Sequence, residues 1–95
     1  MITLRIIQTR PALDVEFLPE SLEYNATIDQ FVAEGKIIEE NDTLNEDQLT
    51  KTRLITFLDD ETFLMFRHHP NVAPWIKQRK TYNREKSIFI DVDFI

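Results

Sequence analysis

Residues 49–70 read LTKTRLITFLDDETFLMFRHHP, and this stretch changes character twice in a way that decides the fold. Over Leu49–Leu58 the side chains alternate: Leu49, Lys51, Arg53, Ile55 and Phe57 share one side, Thr50, Thr52, Leu54, Thr56 and Leu58 the other. A period of two in a run rich in β-branched and aromatic residues is that of a strand. Asp59-Asp60-Glu61 then places three carboxylates where a helix would begin. Helix N-termini carry unpaired N–H groups and partial positive charge, so acids there are stabilising and Asp59 suits the N-cap. Phe63, Leu64, Phe66 and Arg67 form the helix body, and His68-His69-Pro70 breaks it. Proline lacks the N–H a helix needs, and its ring clashes with the preceding turn.

Upstream, Lys36–Leu44 is a second strand-like run, opened by Ile37 and Ile38 and then acidic. The turn cluster Asn45-Glu46-Asp47 joins it to the next strand, which predicts a hairpin. Gly35, the only glycine, stands where a left-handed residue would end a preceding helix. That helix shows Leu22, Ile28, Phe31 and Val32 at helical spacing, and Thr27-x-x-Gln30 resembles a capping box. Its start is open between Glu20 and Ala26. The first strand is Ile2–Thr9, with Ile2, Leu4, Ile6 and Gln8 alternating against Thr3, Arg5, Ile7 and Thr9. Pro11 interrupts it, and Val15–Leu18 reads as an extended piece. Downstream, Asn71 suits a second N-cap with Pro74 in the first turn, and Trp75, Ile76, Arg79 and Tyr82 share a face. The last strand is Ser87–Phe94, with Ile88, Ile90, Val92 and Phe94 opposite Phe89, Asp91 and Asp93.

The resulting order is strand, helix, strand, strand, broken helix, strand. It predicts an α+β, ferredoxin-like βαββαβ domain over residues 1–95: a four-stranded antiparallel sheet with helices on one face, the second helix broken near Pro70. At 95 residues and 42% hydrophobic content, one core is expected, without disulfides since there is no cysteine. One glycine excludes phosphate-cradling glycine loops. No window matches a signal peptide or a membrane span, so a soluble cytoplasmic protein is expected, without a membrane partner. The net charge of −6 is uneven: residues 1–48 hold eleven acids and three bases, and residues 49–95 six acids and eight bases. Residues 67–86 alone carry six bases against Glu85. Basic residues interleaved with Trp75 and Tyr82 could bind nucleic acid, but the rest of the chain is strongly acidic and no RNA-binding motif is present. A solvated helix face is the expectation, with no nucleic-acid partner.

Gly35, the hairpin, the run Thr56-Phe57-Leu58-Asp59-Asp60-Glu61-Thr62-Phe63, His69-Pro70 and the second amphipathic helix together resemble the dimeric α+β barrel proteins, including the antibiotic-biosynthesis-monooxygenase-like domains. The resemblance implies a homodimer whose sheets pack face to face, with a pocket between sheet and helices in each protomer. It implies no single reaction, because that group mixes oxygenases, haem-degrading enzymes, isomerases and proteins of no assigned activity. Its haem-degrading members combine a first-strand asparagine with a tryptophan and a later histidine. Here Gln8 stands on the first strand and both histidines precede Trp75, so haem degradation is not expected.

Candidate chemistry is sparse. His68 and His69 are the only histidines and, being adjacent, diverge by about 100° on a helix, so they do not make an i, i+4 metal pair. Either could act as a catalytic acid or base, with packing at the helix break and solvation as the plainer readings. Arg5 and Arg53 are candidates to anchor a small carboxylate bidentately, with Trp75 as an apolar wall. Glu39, Glu40 and Asp42 lack the glycine turn of a calcium loop, so no metal and no cofactor is expected. If the strands bearing Lys51 and Arg53 and those bearing Asp91 and Asp93 face each other, cross-strand or cross-dimer ion pairs between them are expected. The reading is a small homodimeric protein that binds or transforms a small organic molecule, the enzyme being monooxygenase-like or isomerase-like. The alternative is an interaction or regulatory module without a working active site.

Overall fold

A computed structural model describes residues 1–95. Its elements are β1 (Ile2–Thr9), α1 (Leu22–Ala33), β2 (Ile37–Leu44), β3 (Thr50–Phe57), α2 (Asp60–Arg67), α3 (Ala73–Lys86) and β4 (Phe89–Phe94). The strands lie in the order β2-β3-β1-β4, each antiparallel to its neighbour. Each βαβ crossover therefore spans an inserted strand, which is the ferredoxin-like arrangement.

Local chemistry explains most of the element ends. Gly35 takes φ +73°, and the N–H groups of Gly35 and Lys36 donate to the carbonyls of Val32 and Phe31 at 3.0 and 2.8 Å, closing α1 in a Schellman motif. Asp59 caps α2 by accepting from the Thr62 N–H and hydroxyl at 2.8 and 2.6 Å. Ser21, whose hydroxyl oxygen accepts from the Tyr24 N–H at 3.1 Å, fixes the start of α1. Thr27 is no cap: it lies inside α1, and its hydroxyl donates back to the Glu23 carbonyl at 2.8 Å. Leu22, expected on the apolar face, is 84% exposed at the helix's outer start. The N-cap of α3 is Val72, without a side-chain cap, rather than Asn71. The Asn71 amide instead donates to the Thr27 hydroxyl at 3.3 Å, tying the α2–α3 turn to α1.

All three helices cover one face of the sheet. Leu4, Ile6, Ile55 and Phe57 from the central strands meet Tyr24, Ile28, Phe31, Phe66 and Trp75 from the helices in one buried core. The aromatic rings of Tyr24, Phe31, Phe57 and Phe66 pack at centroid distances of 5.3–5.8 Å, mostly edge to face. On the other face, Arg5 holds Asp93 through two hydrogen bonds of 3.0 and 2.6 Å, and Thr3 pairs with Thr56 at 2.9 Å. A register shift between Ile37 and Glu39 turns β2 so that Glu40 and Asp42 lie alongside Ile55 and Arg53. This corrects the expected cross-strand ion pairs. β1 separates β3 from β4, so Lys51 pairs with Asp42 at 3.5 Å, Arg53 with Glu20 and Glu40, and Asp93 with Arg5.

Candidate functional site

The interior is not filled. Between the helix-facing side of β1 and β4 and the helices lies an open cavity of about 490 Å³. Leu4 and Ile6 from β1, Tyr24 from α1, Phe66 from α2 and Arg79 from α3 form its buried part. Leu64, Arg67, Val92 and Phe94 are exposed and form its rim. The cavity exists because β4 is an edge strand whose inner residues, Val92 and Phe94, remain 49% and 53% exposed. The α2–α3 pair meets that edge through Phe63, whose ring lies 5.1 Å from that of Phe94, and leaves the space beside it open. The volume is in the range of small-molecule sites, which are mostly apolar with a few placed polar groups.

The polar groups here are unusual. Arg79 is 8% exposed and forms neither a hydrogen bond nor an ion pair with any protein group; its Nε is fully covered and unpartnered. Burial pushes its pKa down, only partly opposed by Tyr24 and Glu20, but a guanidinium stays charged at any ordinary pH. Burial pushes the Tyr24 hydroxyl up to about 12, so it is a neutral donor at pH 7. Arg79 belongs to the buried face of α3, where Trp75, Arg79 and Asn83 recur every four residues. Trp75 Nε1 and Asn83 Oδ1 are likewise buried without partners, while the Asn83 amide donates to Gln8 at 2.8 Å. A buried, unpartnered donor is costly, and a buried unpaired charge more so. Tolerating Arg79 in this state fits a group kept for an incoming acceptor. No histidine or carboxylate lines the cavity.

The residues singled out from sequence lie elsewhere. Arg5 is on the open face, held by Asp93, whose carboxyl it keeps below the usual range. Arg53 is on the helix-facing side, buried between Glu20 and Glu40. The sheet separates the two arginines, so they do not share one ligand. Burial raises the Glu20 pKa, with Arg53 opposing it. Trp75 is core, 4% exposed, with its ring 5.5 Å from Tyr24. His68 is exposed at the C-cap of α2, outside the cavity. His69 packs edge-on to Phe31 at 6.2 Å and accepts the Asn71 N–H on Nδ1 at 3.1 Å. No cluster of three or more histidine, aspartate or glutamate side chains is gathered as for a metal. The sequence reading missed Tyr24, Arg67 and Arg79. The available signal was an arginine on the face of the second amphipathic helix that carries Trp75 and Ile76.

No family model and no curated protein sequence matches the chain. Its fold is similar to that of solved structures at low identity. One is the cofactor-independent oxygenase SnoaB from Streptomyces nogalater, at TM-score 0.66 and 12% identity over 99% of this chain and 89% of that one. Another is a conserved protein from Bacteroides thetaiotaomicron described as a possible oxidoreductase, at TM-score 0.66 and 10% identity over 99% and 94%. A third is an antibiotic biosynthesis monooxygenase, at TM-score 0.62 and 10% identity over 98% and 95%. These likenesses support the ferredoxin-like, antibiotic-biosynthesis-monooxygenase-like resemblance at the level of fold. No helix is long and apolar enough to cross a membrane.

Proposed function

We propose that the cavity binds a small, largely apolar organic molecule carrying a negatively charged or strongly polarised oxygen, with Arg79 as its anchor. The observation that supports this reading is Arg79, 8% exposed with its Nε fully covered and its guanidinium without any protein partner, on the wall of a cavity otherwise made of Leu4, Ile6, Phe66 and their neighbours. Tyr24 supplies a second, neutral donor. The lining offers no side-chain base that titrates near neutrality, so any transformation of the bound molecule starts from a ligand already ionised at the working pH, such as an enolate or phenolate. Arg79 then stabilises that anion rather than creating it. The monooxygenase names of the similar folds are compatible with such a substrate, and a non-catalytic binding role is served equally by the same contacts.

The reading includes a homodimer through the open face of the sheet, in a cytoplasmic setting. That face carries Ile7, Leu54 and a Phe89 that is 66% exposed, among the hydrogen-bonded threonines and the Arg5–Asp93 pair. Light scattering is expected to give twice the chain mass of 11.3 kDa, and a monomer mass would remove the dimer. For the cavity, the test is calorimetric titration with 2-naphthoate, an apolar bicycle bearing one carboxylate. Saturable binding is expected, weakened by Arg79→Met about tenfold to a hundredfold, as a hydrogen-bonded charge is worth ~1.5–3 kcal/mol. Absence of binding, or equal binding by the variant, would remove Arg79 from the role.

A further inference from the structure

A second, smaller cavity of about 300 Å³ adjoins the first and shares Arg67 and Ile76 as walls. It is a groove between the end of α2, with Arg67 and its C-cap His68, and one face of α3. Ala73, Ile76, Lys77 and Lys80 recur at helical spacing along that face. Arg67, Lys77 and Lys80 make no ion pair and no side-chain hydrogen bond, whereas Arg5, Lys36, Lys51 and Arg53 all pair with acids. Arg84 and Lys86 on the same helix also lack acid partners, and no acid occurs between Glu61 and Glu85 to neutralise the groove. The first turn of α3 borders the same groove without a side-chain cap, so the positive end of its dipole is uncompensated.

Resting on the cavity reading above, we propose that the ligand is an apolar molecule with a phosphate-ester tail, the apolar part in the larger cavity and the phosphate in the groove formed by Arg67, Lys77 and Lys80. The two depressions are neighbours: Arg67 stands at the rim of the apolar cavity and at the edge of the cationic groove, where a tail leaving the first would enter the second. Three cations around one exposed depression suit a dianion better than a monoanion, since each added charge on the ligand meets another unpaired cation. A ligand bearing only the oxygen that Arg79 receives would leave the groove unused.

The test compares 6-(4-phosphonooxybutyl)-2-naphthoate, whose carboxylate is the oxygen Arg79 receives, with the corresponding alcohol, 6-(4-hydroxybutyl)-2-naphthoate, on the wild-type chain and on the double variant Lys77→Gln/Lys80→Gln. Both replaced side chains are exposed, so the fold is retained, which circular dichroism checks. The phosphate is expected to bind at least tenfold more tightly than the alcohol. The double variant should lose at least fivefold for the phosphate and nothing for the alcohol, and raising the salt should narrow the difference in the wild type. Equal phosphate binding by variant and wild type overturns the groove. Alcohol binding without any gain from the phosphate overturns it too and leaves the cavity reading standing. Loss of alcohol binding in the wild type sinks the cavity reading. If the phosphate, or inorganic phosphate at the same affinity, still binds in that case, the groove is an independent anion site and the tethered ligand is overturned.

Discussion

Replacing Arg79 with methionine should make this protein more stable and a poorer binder at once. The guanidinium is 8% exposed, has no protein partner, and its Nε is completely covered. Leaving one buried donor unsatisfied costs about 1–3 kcal/mol. An apolar side chain of similar length removes that donor and its cost. Methionine keeps an apolar stem on the cavity wall that Tyr24 and Ile76 also line, and removes the charge. The expected gain is ~1–3 kcal/mol, and for a domain of this size each kcal/mol moves Tm by about 4–8 °C. Urea and thermal unfolding followed by circular dichroism would read the gain, with the urea m-value unchanged if the native state is preserved. A variant less stable than wild type by ~1 kcal/mol or more would refute the reasoning. It would show that Arg79 holds the fold together and is not kept for a ligand.

Four further outcomes follow from particular contacts. Ser21→Ala removes the hydroxyl that accepts the Tyr24 N–H and should cost ~1 kcal/mol in chemical denaturation, while Thr27→Ala should leave the start of α1 unchanged by amide exchange. Gly35→Ala should cost about 1–2 kcal/mol purely through the left-handed backbone, since φ is +73° and an added Cβ would meet nothing within 4 Å. Ile55→Ala, at a fully buried position of β3, should cost about 2–5 kcal/mol and sharply lower Tm. The Thr62 hydroxyl and N–H hold the Asp59 carboxyl below its usual range, and Arg5 does the same for Asp93. For a depressed carboxyl the stabilisation is present above the ordinary value near 3.8 and is lost as pH falls through the lower folded value. Asp59→Asn and Asp93→Asn should therefore each flatten the acid limb of a stability–pH profile, and a profile identical to wild type in both would contradict this.

The parts of the fold legible in the sequence are those set by one residue against its own backbone. Gly35 ends α1 because its left-handed φ is a local requirement, and Asp59 starts α2 because its carboxylate reaches the N–H three residues on. Strand alternation put Arg5 and Leu4 on opposite faces of β1, which the β1–β3 register bears out. What could not be read depended on partners distant in the chain. Asn71 looked like a cap, but its amide is taken by Thr27, 44 residues away. The register shift in β2 decides which acids meet Arg53, and nothing in the acidic run Glu39–Asp42 announces it. The cavity was the least legible feature, because it is bounded by β1, β4 and all three helices and exists through what fails to close. Arg5 and Arg53 stand out in the sequence because strand alternation is easy to read. The charge that matters to the cavity sits on a helix, on the same face as Trp75.

The most direct test of the central claim is a crystal structure of the chain with 2-naphthoate. The account predicts the bicycle between Leu4, Ile6 and Phe66, with a carboxylate oxygen at a hydrogen-bond distance of about 3 Å from the Arg79 guanidinium. An empty cavity at saturating ligand, or a ligand bound with Arg79 still unpartnered, would contradict it.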